Sequence, residues 1–213
     1  MKYLGWKMSS VYKVIETRRS VRKYQSRNIS YKILWRILNA ARWAPSAHNA
    51  QPWRFIIIKD SSVKRKLAEA MAREWNKDLS KDVISPQKRE RLTKSSVKQF
   101  TSAPVLVVVS LTMEEMDKYT DEKRRKAERV MAIQSVSAAI QNLLLAAHAE
   151  GLGACWFCAP LFCPETTREV LEASESVEPQ AVITLGYPAE KPEAPIRKPL
   201  DSIIFQNLWV HGE

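Results

Sequence analysis

The chain has few cysteines, no long apolar run and no N-terminus of the kind found in secretory signals. Each of these absences argues against a class of protein. Its 213 residues include three cysteines, too few to staple a disulfide-rich secreted scaffold, so we expect a cytoplasmic setting. No apolar run reaches the length that crosses a bilayer, so no membrane partner is expected. The N-terminal residues Met1–Lys7 are too polar for a secretory signal. The length suits a single domain, which we assign to residues 1–213.

The sequence also lacks the motifs of several common enzyme classes. It has no P-loop, no nucleophile elbow and no paired-histidine zinc motif, and residues 151–156 lack the third glycine of a dinucleotide fingerprint. The spacing of Cys155, Cys158 and Cys163 offers no fourth metal ligand nearby. We interpret these cysteines as structural, with a redox-active pair as the alternative. No metal site and no catalytic side chain is predicted, and His48 either lines a pocket wall or moves a proton.

The chain carries a large excess of positive charge. The formal net charge is +11 and the isoelectric point is near 9.7, which makes nucleic-acid binding a hypothesis to weigh. However, the basic residues are spread along the chain rather than interleaved with aromatic residues in one patch, and many fall in polar helical stretches. The charge therefore indicates a solvated surface, and we expect no nucleic-acid partner.

Apolar periodicity predicts four strands and about five helices. The strands are expected at 53–58, 104–109, 154–157 and 180–187, and the helices at 31–44, 61–75, 77–100 with a break near Pro86, 130–149 and 164–171. This mixture implies an α+β or three-layer domain. The helix at 130–149 has no clear polar face, and a short amphipathic run follows at 201–210. Both need cover from elsewhere, which favours a homodimer.

Two polar motifs in the first quarter of the chain point to a ligand. Residues Arg18–Arg22 bring three guanidinium groups and a hydroxyl together, and arginine is the side chain best shaped to bind a phosphate through parallel hydrogen bonds. Glu16 precedes them and is expected to orient a guanidinium. The run Ala44–Trp53 offers amide and hydroxyl groups to a planar, hydrogen-bonding ring system. Together the two motifs predict a site for a phosphorylated ring compound.

Taken in order along the chain, these motifs resemble the FMN-dependent nitroreductase family. The matching elements are residues 16–22, 44–53, 103–104, 151–156 and 185–188. The stretch 161–165 is also similar to the flavin domain fused to coenzyme F420 glutamyl ligases. The resemblance implies a three-layer α/β/α fold with a central, mostly antiparallel sheet. It also implies a homodimer with FMN sites at the interface and a C-terminal arm, residues 188–213, that reaches the partner subunit.

The resemblance further implies which residues hold FMN. A first group of four residues holds the phosphate and the ring edge, and one of the four, Arg22, reaches the ribityl or pyrimidine side of the flavin. A second group lines the isoalloxazine, a third approaches flavin N5 with its backbone, and a basic residue of the tail completes the phosphate site. The first group is Arg18, Arg19, Ser20 and Arg22; the second is Pro45, Ser46 and Asn49; the third is Ala159, Pro160 and Leu161; and the tail residue is Arg197 or Lys198.

The activity that the resemblance implies is ping-pong hydride transfer from NAD(P)H through flavin N5. The acceptor would be a small planar or aromatic molecule, such as a nitro compound, a quinone or a flavin-like molecule. Residues 75–129 are expected to form a variable helical lid that selects it. Three alternatives stay open: a flavoenzyme for a deazaflavin-type or other cofactor-biosynthesis substrate, a flavin-binding protein without turnover, and a basic nucleic-acid binder.

Overall fold

A four-stranded antiparallel sheet forms the centre of the molecule. The computed structural model describes residues 10–209, with no side-chain description for Ser10. The strands lie in the spatial order β1-β2-β4-β3, and every neighbouring pair is antiparallel. Their bounds are β1 (Trp53–Ile58), β2 (Val105–Thr112), β3 (Gly153–Phe157) and β4 (Val177–Gly186). The four predicted strands and the predicted antiparallel sheet are confirmed.

Six α-helices surround the sheet in the described part of the chain. They are α1 (Ser10–Thr17), α2 (Tyr31–Arg42), α3 (Ser61–Leu79), α4 (Pro86–Ser102), α5 (Glu122–Ala149) and α6 (Pro164–Leu171). Side chains cap the N-termini of several of these helices, because the free main-chain N–H groups of the first turn need an acceptor. The Ser30 hydroxyl accepts from Ile33 N, and the Asp60 carboxylate accepts from Ser62 N and Val63 N.

The helices form a layer on each face of the sheet. Side chains of β2 alternate between the two faces, so Val105 and Val107 join a core with α2 and α5, while Leu106 and Val108 join one with α3, α4 and α6. All eight residues of β2 are buried, as expected for a central strand covered on both sides. The predicted three-layer α/β/α architecture is confirmed.

Several helical elements differ from the prediction. Helix α1 was not predicted, α3 continues to Leu79, and α5 begins at Glu122 instead of residue 130. The early start of α5 comes from Asp121, whose side chain accepts from Arg124 N and extends the helix through a charged stretch. The predicted amphipathic run at 201–210 is reduced to a 3₁₀ turn at Leu200–Ser202, and its last residue lies outside the described residues.

Helix α5 is long and apolar enough, by length and composition, to cross a membrane, although no such run was expected. In the fold it is a core helix instead. Its buried residues, among them Val136, Ile140 and Leu143, pack against the sheet and α2. Packing against the sheet and α2 therefore accounts for its buried face. The glycine that follows the helix, Gly151, adopts a positive φ of 73°.

Candidate functional site

The segment Arg18–Arg22, which we call the arginine segment, lies against the start of β3. Val21 N donates to Ala154 O over 3.0 Å, and Ser20 forms a parallel bridge with Ala154. Slightly further along, the chain pairs with the segment after β4: Gln25 N donates to Tyr187 O and Ala189 N donates to Lys23 O, each over 2.9 Å. These bonds place the C-terminal tail beside the arginine segment.

The arginine segment and the tail together enclose a cleft of about 400 Å³, the arginine pocket. Of the two basic residues of the tail that the resemblance offers for the phosphate site, Arg197 lines this pocket and Lys198 does not. Four guanidinium groups face the pocket against a single carboxylate, so its lining carries a strong excess of positive charge. The lining residues are Arg18, Arg19, Ser20, Arg22, Pro192, Glu193, Pro195 and Arg197.

Hydrogen bonds hold the arginine segment in place and leave one buried donor of the segment without a partner among residues 10–209. Arg19 Nη1 donates to the carbonyl oxygens of Glu16 and Arg18, over 2.6 and 2.8 Å. The carbonyl of Glu16, rather than the expected carboxylate, therefore orients a guanidinium. Arg22 N donates to Glu190 Oε1 over 2.7 Å. Among residues 10–209, the buried Nε of Arg18 has no hydrogen-bond partner, and an unpaired buried donor is costly unless a ligand accepts from it.

The pKa of a neighbouring histidine, His148, is affected by the positive charge of this region. His148 Nε2 lies 2.9 Å from Thr17 Oγ1 at the end of α1. Burial lowers the pKa of His148, and the charges of Arg18 and Arg19 lower it further. The free donor and the cationic lining agree on one chemistry, since a bound anion would accept from the donor and offset the positive charge. The residues present therefore fit the phosphate of FMN.

The polar run before β1 lines a different and larger cleft. Residues Ala47–Asn49 form a 3₁₀ turn in which His48 and Asn49 have φ values of 55° and 53°. Ser46 Oγ accepts from Gln51 N over 3.1 Å and closes this turn. His48 and Asn49 line a cleft of about 760 Å³, the Asn49 cleft, together with residues of α2 and β1. Pro45 and Ser46 flank the turn without lining this cleft.

The segment after β3 borders a third cleft, of about 300 Å³. Ala159 lines it together with aromatic side chains that include Phe100 and Phe157. Pro160 is buried, and Leu161 is exposed at the surface. Within the single chain, the predicted FMN contacts that line a cleft therefore fall in three separate clefts. Five others line none of the three: Pro45, Ser46, Pro160, Leu161 and Lys198.

The cysteines have the features of structural residues. All three are free thiols; Cys155 and Cys163 are buried while Cys158 is exposed. Burial raises the pKa of Cys155 and of Cys163, which keeps these thiols in the protonated, unreactive form.

Several residues in or beside the arginine pocket were missed by the sequence analysis. Glu190, which anchors Arg22 N, and the tail residues Pro192, Glu193 and Pro195 have no motif of their own. Their position depends on the pairing of residues 23–25 with 187–189. The only signal in the sequence was the proline-rich composition of the tail, which indicates an extended segment.

The fold and the pocket define a class of protein: an α+β domain with a covered antiparallel sheet and a cationic pocket beside it. The model of the nitroreductase family matches residues 15–187. The chain belongs to the nitroreductase family, a family of oxidoreductases, which confirms the resemblance seen in its motifs.

Curated relatives and solved structures agree with this assignment. A protein of Archaeoglobus fulgidus, provisionally named NADH dehydrogenase/NAD(P)H nitroreductase, is 32% identical over 188 residues, 86% of this chain and 88% of that one. The NADH dehydrogenase of Thermus thermophilus is 30% identical, over 90% and 92% of the two chains. A BluB-like flavoprotein of Clostridium difficile has a TM-score of 0.77 at 28% identity, over 92% and 98%. A provisionally named nitroreductase of Desulfovibrio desulfuricans, solved with FMN, has a TM-score of 0.71 at 27% identity, over 94% and 98%.

Proposed function

We propose that the protein is an FMN-dependent oxidoreductase that accepts electrons from NAD(P)H and passes them to a small planar or aromatic molecule. The bound FMN would supply ping-pong hydride transfer through its N5 atom. The arginine pocket is the observation that carries this proposal. The names of the Archaeoglobus fulgidus and Thermus thermophilus relatives support the nicotinamide donor, and the FMN in the Desulfovibrio desulfuricans structure supports the cofactor.

The residues of the arginine pocket have distinct tasks in binding the cofactor. Arg18 lines the pocket, and its guanidinium would donate to a phosphate oxygen. Arg197 adds a second guanidinium from the tail. Arg19 is already bonded to two carbonyl oxygens through Nη1, so its rigid guanidinium presents its remaining donors in a fixed direction. Preorganised donors of this kind bind a dianion tightly because little rotamer entropy is lost on binding.

We further propose that a second copy of the chain completes each site. The arginine pocket and the Asn49 cleft are separate in one protomer, yet the flavin must contact both groups if the assigned roles hold. Trp35 and Trp43 on and after α2 are 70% and 74% exposed, a large apolar surface that a homodimer would cover. The C-terminal arm would reach the partner, and its Trp209 is exposed as well.

Complementation between two inactive variants tests the shared site. Arg18→Ala/Arg19→Ala removes one half of each site and Asn49→Ala the other. If each site draws on both chains, mixed dimers have one intact site and regain about half of the flavin binding of the wild-type dimer. If both groups come from the same chain, mixing restores nothing. A monomer in solution would also contradict the shared site.

The helical lid remains a proposal, with narrower bounds. The range 75–129 includes β2, which is the buried middle of the sheet. A lid role therefore applies to α4 and to the loop between β2 and α5 only. The acceptor is proposed as a nitro compound, a quinone or a flavin-like molecule. Turnover assays with NADH and NADPH distinguish this reductase from a flavin-binding protein without turnover and from a flavoenzyme of cofactor biosynthesis.

The visible spectrum of the purified protein tests the cofactor. We expect a flavin band, with FMN released on denaturation, whereas a colourless protein that FMN cannot reconstitute would overturn the proposal. Arg18→Ala/Arg19→Ala should weaken FMN binding at least roughly 100-fold, because each charged hydrogen bond contributes about 1.5–3 kcal/mol. The matched control is Arg65→Ala/Arg73→Ala, which removes two exposed arginines of α3. Equal affinity in the two double variants would show that the phosphate lies elsewhere.

A further inference from the structure

Three metal-ligating side chains from distant parts of the chain meet beside the Asn49 cleft. His48 comes from the turn before β1, Asp117 from the loop after β2, and Glu128 from the second turn of α5. His48 Nε2 lies 3.3 Å from Glu128 Oε1 and 3.9 Å from Asp117 Oδ2. One ligand atom from each residue lies within 4.8 Å of the other two. We call these residues the His48 cluster.

Glu128 is the unusual member of this cluster. It is only 2% exposed, and a carboxylate is rarely buried unless a cation compensates it. Among the described residues, the imidazole of His48 is the one basic group within ion-pair distance of Glu128. The second oxygen, Oε2, is buried and has no hydrogen-bond donor within residues 10–209. The adjacent arginine of α5, Arg129, is engaged elsewhere, with Glu178. The buried carboxylate beside His48 and Asp117 therefore has one oxygen, Oε2, that is free to act as a metal ligand.

We propose that the His48 cluster binds a divalent transition-metal ion, with Zn²⁺ as the best match to its donors. Imidazole nitrogen and carboxylate oxygen are ordinary zinc ligands, with bonds of about 2.0–2.2 Å. Tetrahedral ligands at that distance are separated by about 3.3–3.5 Å, close to the separation of His48 and Glu128. Asp117 is half exposed, on a loop, and needs only a small movement to complete the set.

Three protein ligands leave one position of a tetrahedral zinc ion open. The His48 side chain is 43% exposed and lines the Asn49 cleft, so the open position faces that cleft and would hold water. The metal would neutralise Glu128 and tie the turn at residues 47–49 to α5. His48 also lines the Asn49 cleft, which the proposed function assigns to the flavin, but the zinc proposal does not rest on that function, because it is argued from the three ligands alone.

Calorimetric titration of the chelator-treated, purified protein with Zn²⁺ tests the site. All variants carry Cys158→Ser, since Cys158 is an exposed free thiol that would bind zinc by itself. We expect one equivalent to bind with micromolar or tighter affinity. Glu128→Gln and His48→Ala should each weaken it by more than about tenfold, because even the loss of an outer hydrogen-bond partner weakens metal sites by roughly 10–100-fold. The matched control, Glu122→Gln, changes an exposed glutamate of the same helix and should bind zinc normally.

The outcomes separate this proposal from its competitors. Equal affinity in Glu128→Gln and Glu122→Gln, or the absence of saturable binding, would overturn it and leave His48 and Glu128 as a simple ion pair. If Glu128→Gln fails to fold, anomalous diffraction at the zinc edge from wild-type crystals decides, since density must lie between the three side chains. Arg18→Ala/Arg19→Ala should retain zinc binding even when it loses FMN, which keeps this test distinct from that of the cofactor.

Discussion

Replacing Gly153 by alanine tests whether close backbone contact with β3 positions the arginine segment. A Cβ atom at Gly153 would lie 2.7 Å from both Cβ and Cγ1 of Val21, and 3.0 Å from its Cγ2. Carbon atoms normally approach to about 3.5–4.0 Å, so Val21 must move by roughly 1 Å. Val21 N is hydrogen-bonded to Ala154 O, so the movement also strains the bond that holds the arginine segment on β3.

The expected size of this effect follows from the overpacking of a buried contact. Such substitutions cost about 1–3 kcal/mol of unfolding free energy. In a chain of this length each kcal/mol lowers the melting temperature by about 2–4 °C. We therefore expect Gly153→Ala to lower the melting temperature by roughly 2–12 °C and to weaken FMN binding, because Ser20 and its neighbours shift with Val21. Thermal denaturation and fluorescence titration with FMN measure the two effects.

Two further variants separate the clash from the loss of glycine itself. Gly151→Ala introduces a Cβ with nothing within 4 Å, at a φ of 73°, so it should cost about 1 kcal/mol in backbone strain without changing FMN affinity. Val21→Ala keeps the Cβ that clashes, whereas Val21→Gly removes it. The double variant Val21→Gly/Gly153→Ala should therefore be more stable than the sum of its single changes by about 1–3 kcal/mol. Strict additivity would refute the reasoning.

Three other outcomes follow from the structure. Tyr24→Phe removes a hydroxyl that lies 2.6 Å from Thr184 Oγ1 and should lower the unfolding free energy by about 1–3 kcal/mol; denaturant titration measures this, and no loss would contradict the buried bond. Binding of FMN or phosphate should raise the pKa of His148, because the anion offsets the charge of Arg18 that lowers it; an unchanged NMR titration would place the anion elsewhere. The Asp60 carboxylate has a pKa lowered chiefly by the Ser62 side chain, so its contribution is present above the unfolded pKa of about 3.9 and is lost as pH falls through the lower folded value. The melting temperature of Asp60→Asn should therefore approach that of wild type below pH 4, and a gap that persists in acid would show that the charge has no part.

Local chemistry determined much of the fold. Ser30 begins α2 because its hydroxyl accepts from the first turn, and Pro164 begins α6 because its missing N–H costs nothing at that position. The apolar run that forms β2 has no polar side and therefore predicted a strand covered on both faces. The cover that the sequence analysis expects for the C-terminal tail stays a prediction, and the apolar residues Ile203, Ile204 and Leu208 are exposed in the single chain.

Some parts of the candidate site could likewise be predicted from the sequence, and others depend on the tertiary structure. The sequence by itself determined the arginine segment and the polar run, because the chemistry of each is confined to a few adjacent residues. Only the tertiary structure placed Arg197 against the arginine segment, through main-chain bonds between residues 23–25 and 187–189. Only the tertiary structure brought His48, Asp117 and Glu128 together, because no local spacing relates a turn, a loop and a helix. Contacts between distant segments depend on how the layers pack around the sheet, and a local pattern carries no information about that packing.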